Sequence, residues 1–91
     1  KLIECKKKEV LKMTGKLECE VCSFDFYKTY GEIGKGFIEC HHIKQLSTYQ
    51  VSQKTKSDDL ALVCSNCHRM LHRNRNDMSI KTLKNKLNQV N

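Results

Sequence analysis

Of the six cysteines in this chain, four fall in two C-x-x-C pairs, Cys19 with Cys22 and Cys64 with Cys67. The four histidines are paired as well: His41 stands beside His42 in IECHHI, and His68 precedes His72 by one helical turn in CHRMLH. Zinc takes four ligands tetrahedrally, and each C-x-x-C turn supplies two thiolates. The cysteines therefore read as a four-thiolate structural zinc site. The two pairs stand further apart than in a simple zinc ribbon, so a separate unit is inserted between them, and it carries His41 and His42. Two unconnected pairs, or a redox C-x-x-C, are the alternatives. Cys40 reads as a small packed strand residue, and Cys5 has no evident partner.

The histidines can do chemistry that a closed thiolate site cannot. His68 and His72, at i and i+4 on a helix, project from one face and form a two-ligand clamp. Cys67 and His68 are neighbours about 100° apart on that helix, so one residue can serve the zinc while the next faces a second ion. On a strand, adjacent side chains point to opposite faces. His41 and His42 therefore cannot readily grip one ion together. His41 would complete a three-histidine site with His68 and His72, leaving His42 to act as a base. Imidazole titrates nearest neutral pH of all side chains, which suits that work. Such an ion would neutralise a phosphate oxygen and the leaving group while His42 takes a proton from water. A pair of solvated helix histidines is the bland alternative. Peptide hydrolysis by H-E-x-x-H is disfavoured because Arg69 stands where the Glu belongs. The zinc deaminase pattern fails too, since neither histidine has a Glu two residues on.

These residues need elements to hold them. The spacing predicts a helix over residues 1–15 with Leu2, Ile3, Val10, Leu11 and Met13 as its apolar positions, ending near Gly15. CEVC forms a knuckle, YGEIGKG a turn or loop, and FIECHHI a strand. Residues 44–58 are polar without a period and read as a loop. DLALVC is the antiparallel partner strand of Phe37–Ile43. A helix then runs from Cys64 to about Arg73. The tail places Ile80, Leu83, Leu87 and Val90 on one face of a helix over residues 79–90, with Ser79 or Asp77 as its N-cap.

With 91 residues, 38% of them hydrophobic, the chain is a single small domain with a modest core, the kind that needs a metal staple. Its formal net charge of +7 fits a protein that meets phosphates. Basic surfaces also serve membranes and acidic proteins, but no apolar run approaches the ~20 residues of a span. Paired C-x-x-C cysteines indicate a reducing compartment. The chain opens on Lys1 without a Met and reads as a fragment or processed product of a longer protein.

At FIECHHIKQLS and DLALVCSNCHRMLH, with CEVC and YGEIGKG before them, the sequence resembles the HNH, or ββα-metal, endonucleases. The resemblance covers about residues 17–73. Its cysteine-bearing form is similar to nuclease domains of modification-dependent restriction enzymes and related bacterial and phage nucleases. It implies a small α+β fold of the ββα-metal type, with a four-cysteine zinc site and flanking helices. It further implies His41, His68 and His72 as ligands of a catalytic divalent metal (Mg2+, Mn2+, Co2+, Ni2+ or Zn2+), His42 as general base, and Glu39 as a supporting polar residue. Asp59 stands where the family has its middle Asn, which ties the loop to the base-bearing strand; an Asp can do so only as an acceptor. Gln45 replaces a proline common after H-H-I-K.

The expected partner is DNA, met mostly through its backbone by Arg69, Arg73 and Arg75 on or after the metal helix, and by Lys44, Lys54 and Lys56 in the loop. Solvated surface charge is the plain alternative for each. Target choice would rest with a further recognition domain, and a homodimer would ease cutting of both strands. The setting expected is cytoplasmic, in a bacterium or phage-infected cell. Against the endonuclease stand two binding classes: a non-catalytic zinc module for nucleic acid, and a zinc-stapled protein-interaction domain. His42 discriminates, because a binding module has no use for an unligated histidine beside a ligand.

Overall fold

An apolar run bounded by polar residues, LALV, has nowhere to go but inside, and it forms the buried strand on which the fold is hung. In the computed structural model, which describes residues 2–43, 59–73 and 78–90, this strand is β2, Leu60–Val63, buried at every position. It pairs antiparallel with β1, Glu39–His42, in the register Glu39 to Val63, Cys40 to Leu62, His41 to Ala61 and His42 to Leu60. A helix α1 spans Leu2–Thr14, α2 Phe26–Tyr30, α3 Ser65–Leu71 and α4 Ile80–Val90. This is the small α+β fold expected, with two strands, flanking helices and a four-cysteine cluster. The strand pair is shorter than FIECHHI suggested, since regular pairing begins only at Glu39.

The two faces of the sheet bury different sets of residues. Ala61 and Val63 pack with Cys19, Val21, Cys64, Cys67 and Leu71, against α3 and the inward face of α4. Leu62 packs with Leu17 and Ile38 on the other face, and Cys40 and Val10 close over them. Cys40 is thus a packed thiol on the strand face away from the sulfur cluster, and burial raises its pKa. Of the apolar positions read on α1, only Val10 joins this core; Met13 is 80% exposed. The helix ends as expected at Gly15, which takes φ 79° and donates its N–H to the Leu11 carbonyl at 2.8 Å.

The stretch between the knuckle and β1 holds more structure than a loop. Asp25 caps α2 by accepting from the Tyr27 and Lys28 amides at 2.9 and 3.2 Å. A 3-10 turn, Gly31–Gly34, follows. Gly34 lies so close to the Phe26 carbonyl that any Cβ there would collide with it, which explains the glycine. The Phe26 ring meets Phe24 and Phe37 edge-on at 4.8 and 4.7 Å, fixing the approach to β1. Ser79 caps α4, its hydroxyl accepting from the Thr82 amide at 3.0 Å, while Asp77 lies outside the described residues. The expected loop 44–58 lies outside the described residues.

Candidate metal centres

The first knuckle is a tight turn built on sulfur. The Val21 and Cys22 amides donate to the Cys19 Sγ at 3.3 and 3.5 Å, and Ser23 closes the turn at φ 69°. Glu20, between the cysteines, clips the knuckle to β2. Its amide donates to the Leu62 carbonyl and its carboxylate accepts from the Leu62 amide, both at 2.9 Å. The second pair sits where β2 turns into α3. Cys64 is the N-cap of that helix, its Sγ accepting from the Cys67 amide at 3.4 Å.

These turns bring Cys19, Cys22, Cys64 and Cys67 together, with their sulfurs within 4.8 Å of one another. The Cys22 and Cys64 sulfurs are 3.7 Å apart. A tetrahedron with the usual Zn–S bond has an edge of about 3.8 Å, so the spacing fits a zinc ion. Electrostatics agrees. Burial, then the neighbouring Cys64 and Cys19, drives the Cys67 thiol far above its ordinary range, and burial also raises Cys22. At Cys19 burial is outweighed by backbone hydrogen bonds involving Cys22, Cys64 and Val21, which lower it. One thiolate is welcome here and further ones are resisted, which is the state a divalent cation reverses.

The second cluster lies on the α3 face of the sheet. His41, 2% exposed, shares that strand face with Glu39, whereas His42 points away and is exposed. His41 Nδ1 lies 3.2 Å from His72 Nε2, and the rings of His41, His68 and His72 have centroids 4.8 to 5.6 Å apart. One nitrogen from each falls within 4.8 Å of the others. Metal–nitrogen bonds of about 2.1 Å put adjacent ligand atoms about 3.0 to 3.4 Å apart, so this donor set also fits a divalent ion. The helix is shorter than the sequence suggested. It stops at Leu71, and His72 is its C-cap, with φ −98° and ψ 7°; the ring still reaches the cluster.

Glu39 steadies this group. Its Oε1 lies 2.8 Å from His68 Nδ1, and its Oε2 accepts from the Ser65 hydroxyl at 2.6 Å. Those hydrogen bonds, Ser65 first and then His68, hold the carboxyl below the ordinary glutamate range. With Nδ1–H pointed at a carboxylate, His68 keeps the Nε2 lone pair for an ion. Asp59 meets the end of β1 through its backbone: its carbonyl accepts from the Ile43 amide at 2.7 Å, one residue past His42.

An open cavity of about 570 Å3 lies beside His68 and His72, with Glu39, Arg69, Met70 and Arg73 completing its lining. Two of the expected phosphate partners, Arg69 and Arg73, thus flank the ligand cluster. Lys44, Lys54, Lys56 and Arg75 lie outside the described residues. Another cavity of about 550 Å3, between the knuckle and α4, is walled by Phe24, Phe26, Leu83 and Leu87 and, among the described residues, offers no cationic side chain. Glu20 and Ser65 escaped the sequence reading. Their partners are 42 and 26 residues away, and only the position of Glu20 inside CEVC marks it as special.

A family model described as HNH endonuclease matches residues 19–74, more than half of the chain. No curated protein and no solved structure matches it. Among the described residues, no helix is long and apolar enough to cross a membrane.

Proposed function

The chain belongs to the HNH endonuclease family, and from that premise we propose that it hydrolyses DNA phosphodiester bonds at the three-histidine centre. His41, His68 and His72 would hold a divalent cation (Mg2+, Mn2+, Co2+, Ni2+ or Zn2+), while a structural zinc sits among Cys19, Cys22, Cys64 and Cys67. The bound cation supplies Lewis-acid stabilisation of charge on the phosphate and on the leaving oxygen.

The chain's own residues do the rest. Glu39 keeps His68 in the tautomer that presents Nε2. Arg69 and Arg73, at the cavity wall, take the phosphate oxygens flanking the scissile group. His42, exposed at the last position of β1, accepts a proton as the water oxygen bonds to phosphorus and the bond to the leaving oxygen breaks. Asp59 pins the segment after His42. The observation that carries this reading is the division between adjacent histidines: one ring is buried against two other histidines, the next is exposed.

The reading extends to the whole 91 residues as one nuclease domain, in a cytoplasmic protein of bacterial or phage origin. The cysteine-bearing motifs support a restriction or phage-type role, and target choice is assigned to a further recognition domain, with dimerisation for double-strand cuts. Plasmid nicking in Mg2+, Mn2+, Co2+ and Ni2+, on modified and unmodified DNA, tests the core of it. Native protein nicks and His42→Ala does not, although it keeps both metal sites. No nicking by metal-loaded native protein in any of the four would instead support a non-catalytic nucleic-acid-binding module.

A further inference from the structure

Ser65 is the first residue of α3, one place past the N-cap, the position from which a serine hydroxyl ordinarily caps its own helix. That is what Ser79 does before α4, accepting from the Thr82 amide at 3.0 Å. At α3 the cap is already made by the Cys64 sulfur. The Ser65 hydroxyl is directed across to β1 instead, where it meets Glu39 Oε2 at 2.6 Å. A hydroxyl has one proton to give, and an ionised carboxylate only accepts, so Ser65 is the donor.

The consequence falls on His68. The side chain of Glu39 has several rotatable bonds and is about one-third exposed, and Arg69 attracts it from the cavity wall. With Oε2 tethered, the plane of the carboxylate is set and Oε1 remains 2.8 Å from His68 Nδ1. We propose that Ser65 is a positioning residue for the three-histidine centre: its hydroxyl clamps Glu39 so that His68 presents Nε2 to a divalent cation. Because Ser65 directly follows Cys64, the turn that the thiolate site fixes also fixes the clamp. The inference rests on the reading of His41, His68 and His72 as cation ligands, and it adds a residue that touches neither cation nor substrate.

The test uses the full chain with zinc in the thiolate site. Co2+ is titrated into the histidine site and followed by its visible absorption, and plasmid nicking is measured at low and saturating Co2+. Removing a hydrogen-bond partner of a metal-bound histidine typically costs 10–100-fold in affinity, and Ser65 is one bond further out. Ser65→Ala should therefore bind Co2+ about 10-fold more weakly. Its nicking should fall at low Co2+ and recover at saturation, and Ser65→Thr should match native protein. In a Glu39→Ala background, adding Ser65→Ala should change nothing more.

Unchanged Co2+ affinity in Ser65→Ala overturns the proposal. So does a nicking loss that saturating Co2+ does not recover, or loss of the thiolate-bound metal along with the histidine-bound one, which would make Ser65 a folding residue. If Ser65→Ala weakens Co2+ binding as stated but native protein nicks no DNA, the positioning role stands and the endonuclease reading fails. Native protein that binds no Co2+ at its histidines overturns both.

Discussion

Two adjacent imidazoles differ in what surrounds them, and the proposed chemistry depends on that difference. His41 is 2% exposed and stands 3.2 Å from a nitrogen of His72, whereas His42 faces outward. General-base assistance contributes about 10²- to 10⁴-fold in typical enzymes, so His42→Ala should lower nicking by that order while metal content stays at the native level. A smaller loss, or one accompanied by loss of metal, would move the role elsewhere. That the two rings face opposite ways was legible in the sequence, because strand alternation points neighbouring side chains to opposite faces. The clamp by Ser65 was not. A polar residue at a helix start looks like a cap, and only the fold brings Glu39 to it from 26 residues away.

At the level of elements, what matters is the strand pair and the helix that follows it. The register sets Ala61 opposite His41, and Ala61 is fully buried. Facing residues on one side of an antiparallel pair have Cβ atoms about 5 Å apart. A small residue opposite His41 therefore leaves the ring its place between β1 and α3. Ala61→Leu should cost about 1–3 kcal/mol by overpacking and should weaken Co2+ binding at the histidines; a variant with native melting temperature and affinity would refute the steric reading. Both strands and α3 could be read from the chain because LALV is apolar throughout and because the two C-x-x-C pairs mark the turns. The helix α2 could not, since five residues carry too little period and its cue is the lone cap Asp25. The early end of α3 at Leu71 was equally hidden, because H-x-x-x-H spacing looks the same in a helix and across its final cap.

Across the whole molecule, a metal held among the four cysteines would staple a core that is small for its chain. The buried residues nearest it include Cys19, Cys64 and Cys67 themselves. Binding of structural zinc contributes about 10–16 kcal/mol in small zinc peptides, as much as the ~5–15 kcal/mol total stability of an ordinary domain. Stripping the zinc with a chelator should therefore abolish cooperative unfolding, read by far-ultraviolet circular dichroism; a native spectrum and melt without zinc would contradict it. Acid should promote the same loss. The Cys67 and Cys22 thiols are raised in the absence of metal, so the ion must displace their protons, and its hold weakens as pH falls. Helix α3 carries candidate ligands of both clusters, so the proposed staple and the proposed reaction centre are built on one element.

The most direct test is an anomalous-scattering map of crystals loaded with zinc and manganese. The expected map has one peak among the sulfurs of Cys19, Cys22, Cys64 and Cys67, and a second bound by His41, His68 and His72, with the ring of His42 outside coordination distance. A second peak that includes His42, or none at the histidines, would contradict it.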